Sequence, residues 1–284
     1  MKILILGASG SIGGFIYNRL SGQYDVYGTY NENKPCDADD NRFMEYSIAD
    51  LKCLDNILSK IKPNLIISSL AGDFKQQLTV HSRIAEFLKE TAGRCIFIST
   101  ANVFDGSPDG SKTERDAPYP ISEYGKFKYS CEQLLQKELM NKCLVVRLPR
   151  TFIIENIDNE IKQVEKNGIV FNNLYMSYNT AENVVNAIEF CIESNKFGIL
   201  HLSSNDSMLQ TDFIELLLSN RGRNISYTKE VLTVEKYCGI FKCEDTSLLR
   251  YSDNGYFNLS IKSNDEDITT HFDISCKDII SGLE

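Results

Sequence analysis

Short apolar runs alternate with longer amphipathic stretches through the first half of the chain. The runs Lys2 to Leu6, Asp25 to Thr29, Phe43 to Tyr46, Leu65 to Ser68, Cys95 to Ser99 and Cys143 to Leu148 are short and rich in β-branched residues. Runs of this length and character predict strands, and strands apolar on both faces need cover above and below. Ser11 to Leu20, Leu51 to Ile61, Gln76 to Thr91 and Ile121 to Leu139 carry apolar residues at the spacing of one helix face. Strand, crossover helix and strand in repetition predict an α/β fold of Rossmann type, a doubly wound parallel sheet. After Leu148 the alternation loosens. Thr180 to Ile192 and Thr211 to Leu218 predict helices, and Ile199 to Leu202 predicts a strand that rejoins the first sheet. From about Gly222 onward, Asn, Ser, Asp and Lys break up short apolar runs, which predicts a smaller α+β C-terminal lobe. The expected division is residues 1–150, with 178–203 rejoining them, and a smaller lobe over 151–284.

Composition narrows the class without naming a function. The chain is 42% hydrophobic, 10% aromatic and 24% charged, an ordinary globular balance. No apolar run approaches the roughly 18 residues a membrane span needs. Met1 leads directly into a strand and a glycine turn, which reads as a mature start without a signal peptide and points to the cytoplasm. A net charge of −9 repels phosphate backbones, so nucleic acid is not an expected partner. Nine cysteines, odd in number and without a C-x-x-C pair, suggest free thiols rather than a disulfide framework. Cys238 and Cys243 lack further ligands nearby in sequence, so no metal is expected.

Chemistry enters at the first junction of strand and helix. Gly7, Gly10 and Gly13 stand at i, i+3 and i+6. At this spacing the first glycine permits a tight turn, the second admits a pyrophosphate close to the backbone, and the third lets the helix pack on the strand. A dinucleotide site of this kind usually has a carboxylate about 20 residues on, which binds the adenosine ribose and repels a 2′-phosphate. Here the second strand ends Thr29-Tyr30-Asn31, with no acid before Glu32. That favours NADP, with NADPH preferred over NADH, and leaves Lys34 either a phosphate partner or a solvated loop charge. Tyr124 and Lys128 are one helical turn apart, and a neighbouring ammonium is expected to bring a phenol into working range. Thr100 follows a strand at the carboxyl edge of the predicted sheet, where open α/β folds place ligands.

Taken in order, Gly7-x-x-Gly10-x-x-Gly13, Ser99-Thr100-x-x-Val103-Phe104-Asp105-Gly106, Tyr124-x-x-x-Lys128 and Val145-Val146-Arg147 resemble the extended short-chain dehydrogenase/reductase superfamily. Within it the closest likeness is to the dTDP-4-dehydrorhamnose reductase family, from Met1 to about Leu218. The resemblance implies an NAD(P)H-dependent reductase of a keto group on a nucleotide-activated sugar, working in cell-surface polysaccharide biosynthesis, and it allows a homodimer. It makes Thr100, Tyr124 and Lys128 the catalytic trio. It places cofactor contacts at Gly7, Ser9, Gly10, Ser11, Ile12, Gly13, Tyr30, Ser47, Ile48, Ser69, Leu70, Ala71, Tyr124 and Lys128, and substrate contacts at Thr100, Asn102, Tyr124 and Arg150.

Departures from the family pattern cluster where ligands bind. Ala101-Asn102 replaces the usual Asp-Tyr, Met176-Ser177-Tyr178 replaces Arg-Ser-Pro, Asn183 replaces Asp, and Ser47-Ile48 stands where an acid normally meets adenine, with Asp50 retained. They point to a deoxysugar other than the rhamnose precursor. Two other readings stay open, a non-catalytic NAD(P)-binding regulatory protein like the methionine adenosyltransferase β subunits and a sugar-nucleotide epimerase of the same superfamily. His81, His201 and His271 read as packed or surface residues, Arg147 as the end of a buried strand, and Arg221 and Arg223 as cations for a diphosphate or a solvated turn. Tyr175 and Tyr178 read as core or sugar-pocket aromatics, and the acidic runs at Asp37 to Asp40 and Asp265 to Asp267 as solvated loops.

Overall fold

The computed structural model describes residues 1–35, 41–106, 110–243 and 255–282, so Cys36 and the acidic run Asp37 to Asp40 lie outside the described residues. In chain order the first part comprises β1 (Lys2–Leu6), α1 (Ser11–Leu20), β2 (Asp25–Tyr30), β3 (Phe43–Glu45), α2 (Leu51–Ile61), β4 (Leu65–Ser68), α3 (Phe74–Lys89), β5 (Arg94–Thr100), α4 (Glu123–Leu139) and β6 (Cys143–Leu148). Then follow β7 (Arg150–Phe152), α5 (Ile157–Asn167), β8 (Ile169–Phe171), β9 (Leu174–Met176), β10 (Tyr178–Thr180), α6 (Ala181–Glu193) and β11 (Gly198–His201). The chain closes with β12 (Met208–Leu209), α7 (Gln210–Asn220), β13 (Thr228–Glu230), α8 (Val234–Phe241), β14 (Phe257–Leu259), α9 (Glu266–His271) and α10 (Cys276–Gly282).

Seven strands form one sheet in the order β11-β6-β5-β4-β1-β2-β3, the Rossmann-type arrangement expected from the alternation. Strand β1 pairs in parallel with β2 on one side and β4 on the other, with Ile5 opposite Gly28 and Leu6 opposite Ser68. Strand order reverses there, so the carboxyl ends of β1 and β4 open a crevice. Ile3, Leu4, Ile5 and Leu6 have no exposed surface, which is why this strand is apolar at every position after the exposed Lys2.

Capping residues set helix starts that apolar spacing left open. Asp73 accepts from the amide of Gln76 at 2.8 Å, so α3 begins at Phe74, earlier than expected. The Ser122 hydroxyl accepts from the amide of Gly125 at 3.0 Å, which delays α4 to Glu123.

The chain divides into two compact units. The first takes Met1–Ser99, Ser130–Val146 and Ile188–Ile199, and the second takes Thr100–Tyr129, Arg147–Ala187 and Leu200–Glu284. In place of one sheet the second unit has pieces, β10-β7, β12-β9-β14 and β13-β8. Its cores are aromatic. Tyr178 stacks on Phe213 at 3.8 Å between centroids and Phe213 on Phe152 at 5.2 Å, while Tyr237 and Phe257 pack with Leu174, Leu232 and Leu259.

Candidate active site

The turn after β1 is built around its glycines. Gly7 has φ +84°, and a Cβ there would lie 2.7 Å from the carbonyl oxygen of Ser69. A Cβ on Gly13 would lie 2.2 Å from the Gly7 carbonyl oxygen and 2.7 Å from Ser69 Oγ, so α1 seats on β1 and on the residue after β4 only without a side chain. The Gly7 amide donates to Thr29 Oγ1 at 3.0 Å, which ties the turn to β2. At the N-cap of α1, Gly10 brings no side chain to the helix start, and the first-turn amides present a positive end suited to a phosphate.

A cleft of about 310 Å³ opens here, lined among the expected residues by Gly7, Ser9, Gly10, Tyr30, Ile48, Ser69, Leu70 and Ala71. Ser11, Ile12 and Gly13 form the first turn of α1, and Ser47 precedes Ile48; none of these four is in the lining. Thr29, Asn31, Asn33, Tyr46 and Gly72 join it without having been expected. Lys34 is not among the lining residues. Asp50, retained from the family pattern, caps α2 by accepting from the amide of Cys53 at 2.9 Å. The Tyr46 hydroxyl is buried without a hydrogen-bond partner, and burial raises its pKa above the ordinary phenol value. Glycines that admit a phosphate, a helix start that attracts one and a neutral groove beside them fit a dinucleotide. The lining contains no carboxylate to repel a 2′-phosphate.

Thr100, Asn102, Tyr124 and Lys128 come together in the second unit. Thr100 ends β5 and caps a short 3-10 turn, Ala101–Phe104, by accepting from the amide of Asn102 at 3.3 Å. Its hydroxyl donates to Asn102 Oδ1 at 3.0 Å and is hydrogen-bonded to the phenol of Tyr124. Lys128 is 6% exposed, with Nζ 5.9 Å from the centroid of the Tyr124 ring. The phenol is not lowered as the spacing predicted. Burial raises it above its ordinary value, and the Thr100 bond only opposes that rise. Tyr124 is therefore a protonated phenol at neutral pH, the state needed to donate a proton.

A buried carboxylate supports this arrangement. Asp105, 5% exposed, accepts from the amides of Ile121 at 2.6 Å and Ser122 at 3.4 Å and from the Ser122 hydroxyl. A Cβ on Gly125 would lie 2.4 Å from the Asn102 carbonyl oxygen, so the first turn of α4 rests directly on the 3-10 turn. Sequence reading passed over Asp105 and Gly125 as parts of motifs; the hydrogen-bonding capacity of an acid inside an apolar run was the available signal.

Arg150 lines a second cavity of about 190 Å³ in this unit, together with Phe152, Gln163, Tyr178, Gln210 and Phe213. The Tyr178 hydroxyl is buried there without a hydrogen-bond partner. Tyr175 packs on Tyr256 with centroids 5.4 Å apart. Arg147 is 1% exposed and donates to His201 Nε2 at 3.3 Å, while His201 Nδ1 meets the carbonyl of Lys262 at 3.2 Å. Burial, with Arg147 adding to it, lowers His201 to about 4, against an opposing pull from Glu114. Arg221 and Arg223 each reach Asp158 at 3.6 Å. In the first unit His81 is buried between Ser68 Oγ at 2.8 Å and the carbonyl of Gln77 at 2.6 Å. Among the described residues no group of three or more His, Cys, Asp or Glu is placed to hold a metal, and no helix is long and apolar enough to cross a membrane.

Comparison with known proteins agrees on fold and family. The family described as RmlD substrate binding domain matches residues 1–236. A dTDP-4-dehydrorhamnose reductase of Aggregatibacter actinomycetemcomitans is 27% identical over 75% of this chain and 76% of its own. Methionine adenosyltransferase 2 subunit beta of Danio rerio is 28% identical over 59% of this chain, and the match spans 51% of that protein. Among solved structures, a dTDP-4-dehydrorhamnose reductase of Bacillus anthracis in complex with NADP superposes with a TM-score of 0.72 at 18% identity, covering 99% of this chain and 96% of that one.

Proposed function

The chain belongs to the RmlD substrate binding domain family, within the superfamily its motifs resemble, and from that membership we propose that it is an NAD(P)H-dependent reductase acting on the keto group of a nucleotide-activated sugar. The observation that carries the reading is the buried Thr100–Tyr124 hydrogen bond with the ammonium of Lys128 beside the ring. A binding module has no use for a protonated phenol held by a second hydroxyl. NADPH is preferred to NADH, because the glycine cleft has no carboxylate in its lining. Residues 1–150 with 178–203 serve the cofactor, and 151–284 serve the sugar nucleotide, with Arg150 the cation for its diphosphate. The product enters cell-surface polysaccharide.

When bound, the reduced nicotinamide cofactor would supply the hydride. Tyr124 donates its phenolic proton to the oxygen that becomes the alcohol, which is general-acid catalysis. Thr100, whose one hydroxyl proton rests on Asn102 Oδ1 in the free protein, would turn that proton to the same oxygen, so the carbonyl is polarised before charge develops on it. Lys128, buried one turn along α4, stabilises the phenolate left on Tyr124 until solvent reprotonates it.

Asn102 and Met176, which replace the family's usual aromatic and arginine, support a deoxysugar other than the rhamnose precursor. The test is a panel of 4-keto nucleotide sugars offered with NADPH and with NADH. Turnover of at least one sugar supports the reductase, and brisk turnover of the dTDP-rhamnose precursor sinks the narrower sugar assignment. Tighter binding of NADH overturns the cofactor preference. The similarity to methionine adenosyltransferase 2 subunit beta favours the second reading, a protein that binds the cofactor without turnover. Silence across the panel with intact NADPH binding would establish it.

A further inference from the structure

The cleft wall that follows β4, residues 69–72, runs directly into the N-cap of α3 at Asp73. Two polar side chains of α3 are buried and take no part in the reaction, Gln77 at 2% exposure and His81 at 0%. We propose that Gln77, braced by His81, is a positioning residue for the cofactor that holds the Gly72 end of this wall in place. The proposal rests on the reading of the glycine cleft as the dinucleotide site.

Three hydrogen bonds connect the end of β4 to the far end of the wall. Ser68 Oγ is 2.8 Å from His81 Nε2, and His81 Nδ1 is 2.6 Å from the Gln77 carbonyl oxygen. A carbonyl only accepts, so Nδ1 carries the proton of the neutral ring and Nε2 accepts from the Ser68 hydroxyl. Phe97 meets the His81 ring edge-on, with centroids 4.8 Å apart. Gln77 Nε2 then donates to the Gly72 carbonyl at 2.9 Å. The near end of the wall is also held by the sheet, where Ser68 pairs with Leu6 and Phe97 and the Ser69 amide donates to the Leu6 carbonyl at 3.0 Å. Gly72 lies beyond that ladder, at φ +116°. A Cβ on it would lie 2.8 Å from Ile48 Cδ1, so Gly72 and Ile48, both in the cleft lining, are in near contact. A small rotation of the Gly72 peptide therefore changes the width left for a ligand.

The Gln77 amide is an uneconomical choice for stability alone. Its Oε1 is buried and has no hydrogen-bond partner among the described residues. Leaving a buried acceptor unmade costs more than one amide hydrogen bond returns, so an apolar side chain of the same length would fold at least as well. The single bond that the side chain does make goes to a carbonyl in the cleft lining. A local rule broken in favour of one cleft-lining group points to a use in the cleft. Gln77 acts on the cofactor through Gly72 and is a positioning residue.

Gln77→Met keeps the length of the side chain and removes both amide atoms, and the carbonyl of the exposed Gly72 then turns to water. The expected result is a Tm equal to or above the parent's, with NADPH binding, followed by fluorescence, weaker by about tenfold, the upper scale of one lost hydrogen bond. On a sugar that is turned over, KM for NADPH should rise by the same factor with kcat unchanged. In ¹³C-labelled protein without ligand, the Gly72 carbonyl signal should move. Gln76→Met, the same change at the exposed neighbour, should leave that signal and the affinity in place. Gln77→Leu carries the same expectations if methionine cannot be packed. A Tm well below the parent's in both variants makes the amide a structural member and overturns the proposal. An unmoved Gly72 signal overturns it too, as does NADPH affinity within about twofold of the parent in a folded variant. Failure of the dinucleotide reading shows in the parent, which would bind neither NADPH nor NADH, and takes the proposal with it; failure of the proposal alone shows only in the variants.

Discussion

The glycine cleft and the Thr100–Tyr124 pair are built from different materials. The cleft is backbone: a glycine at φ +84°, a helix start without a side-chain cap and a strand end that leaves no room for a Cβ. The pair is side chain on side chain, two hydroxyls and an ammonium supported by Asn102, Asp105 and Ser122. A backbone site depends on where side chains are absent, and a side-chain site depends on every group having its partner. The first should tolerate changes in most of its lining and fail where a Cβ is added at Gly7 or Gly13. The second folds with almost any isosteric change and loses rate instead.

The largest effect should come from adding one methyl group to the backbone site. Gly13→Ala puts its Cβ against the Gly7 carbonyl oxygen, which cannot rotate away. The first unit should lose about 3 kcal/mol or more, the upper range for overpacking, and NADPH binding followed by fluorescence should disappear. Retained binding would show that the glycine turn is not the cofactor site and would collapse the contrast. Next in size is Tyr124→Phe, which should leave NADPH binding as it is and lower turnover by about 10²-fold or more, the range for a general acid. Unchanged turnover removes Tyr124 from the reaction.

The two regions were unequally legible in sequence for the same physical reason. Glycine spacing is a local signal, because the turn, the close approach and the helix seat fall within a few residues, so the cleft could be placed from Gly7, Gly10 and Gly13. Thr29, Asn31, Tyr46 and Gly72 reach it from the ends of other strands, and only the strand order β4-β1-β2-β3 brings them there. Tyr124-x-x-x-Lys128 and Thr100 were visible as helix spacing and strand end. Their support was not, because Asp105 meets Ser122 through a tertiary contact that leaves no periodicity. The direction of the Tyr124 shift also lay outside reach, since burial outweighs the opposing Thr100 bond and burial is a property of the fold.

Acid should separate the regions further. His201, in the second unit, is held neutral at about 4 against an ordinary value near 6.5, so between those values the unfolded chain takes up a proton that the folded chain refuses. Stability rises with pH wherever the unfolded state binds more protons, so it falls as pH drops from about 6.5 toward 4. About 2 kcal/mol should be lost between about pH 7 and pH 5 through this group. Urea titrations across that window should show the slope in the parent and a flatter one in His201→Gln, whose amide still faces Arg147. Equal slopes in both proteins would mean that His201 takes its proton while folded.

The smallest effect repeats the first substitution with the opposite sign. Gly239 lies inside α8, and a Cβ there would meet nothing within 4 Å. No backbone or side chain must move to admit it, and its φ is not in the left-handed region. What remains is the entropy that a glycine loses when a helix forms, so Gly239→Ala should stabilise the chain by about 0.5 to 1 kcal/mol. For a chain of this size that is a rise of roughly 2 °C in Tm, with NADPH binding unchanged. Gly13→Ala and Gly239→Ala are the same chemical change in two helices, and they differ only in whether the backbone position is occupied by a neighbour. A Gly239→Ala variant that melts lower would show that α8 is not packed as described.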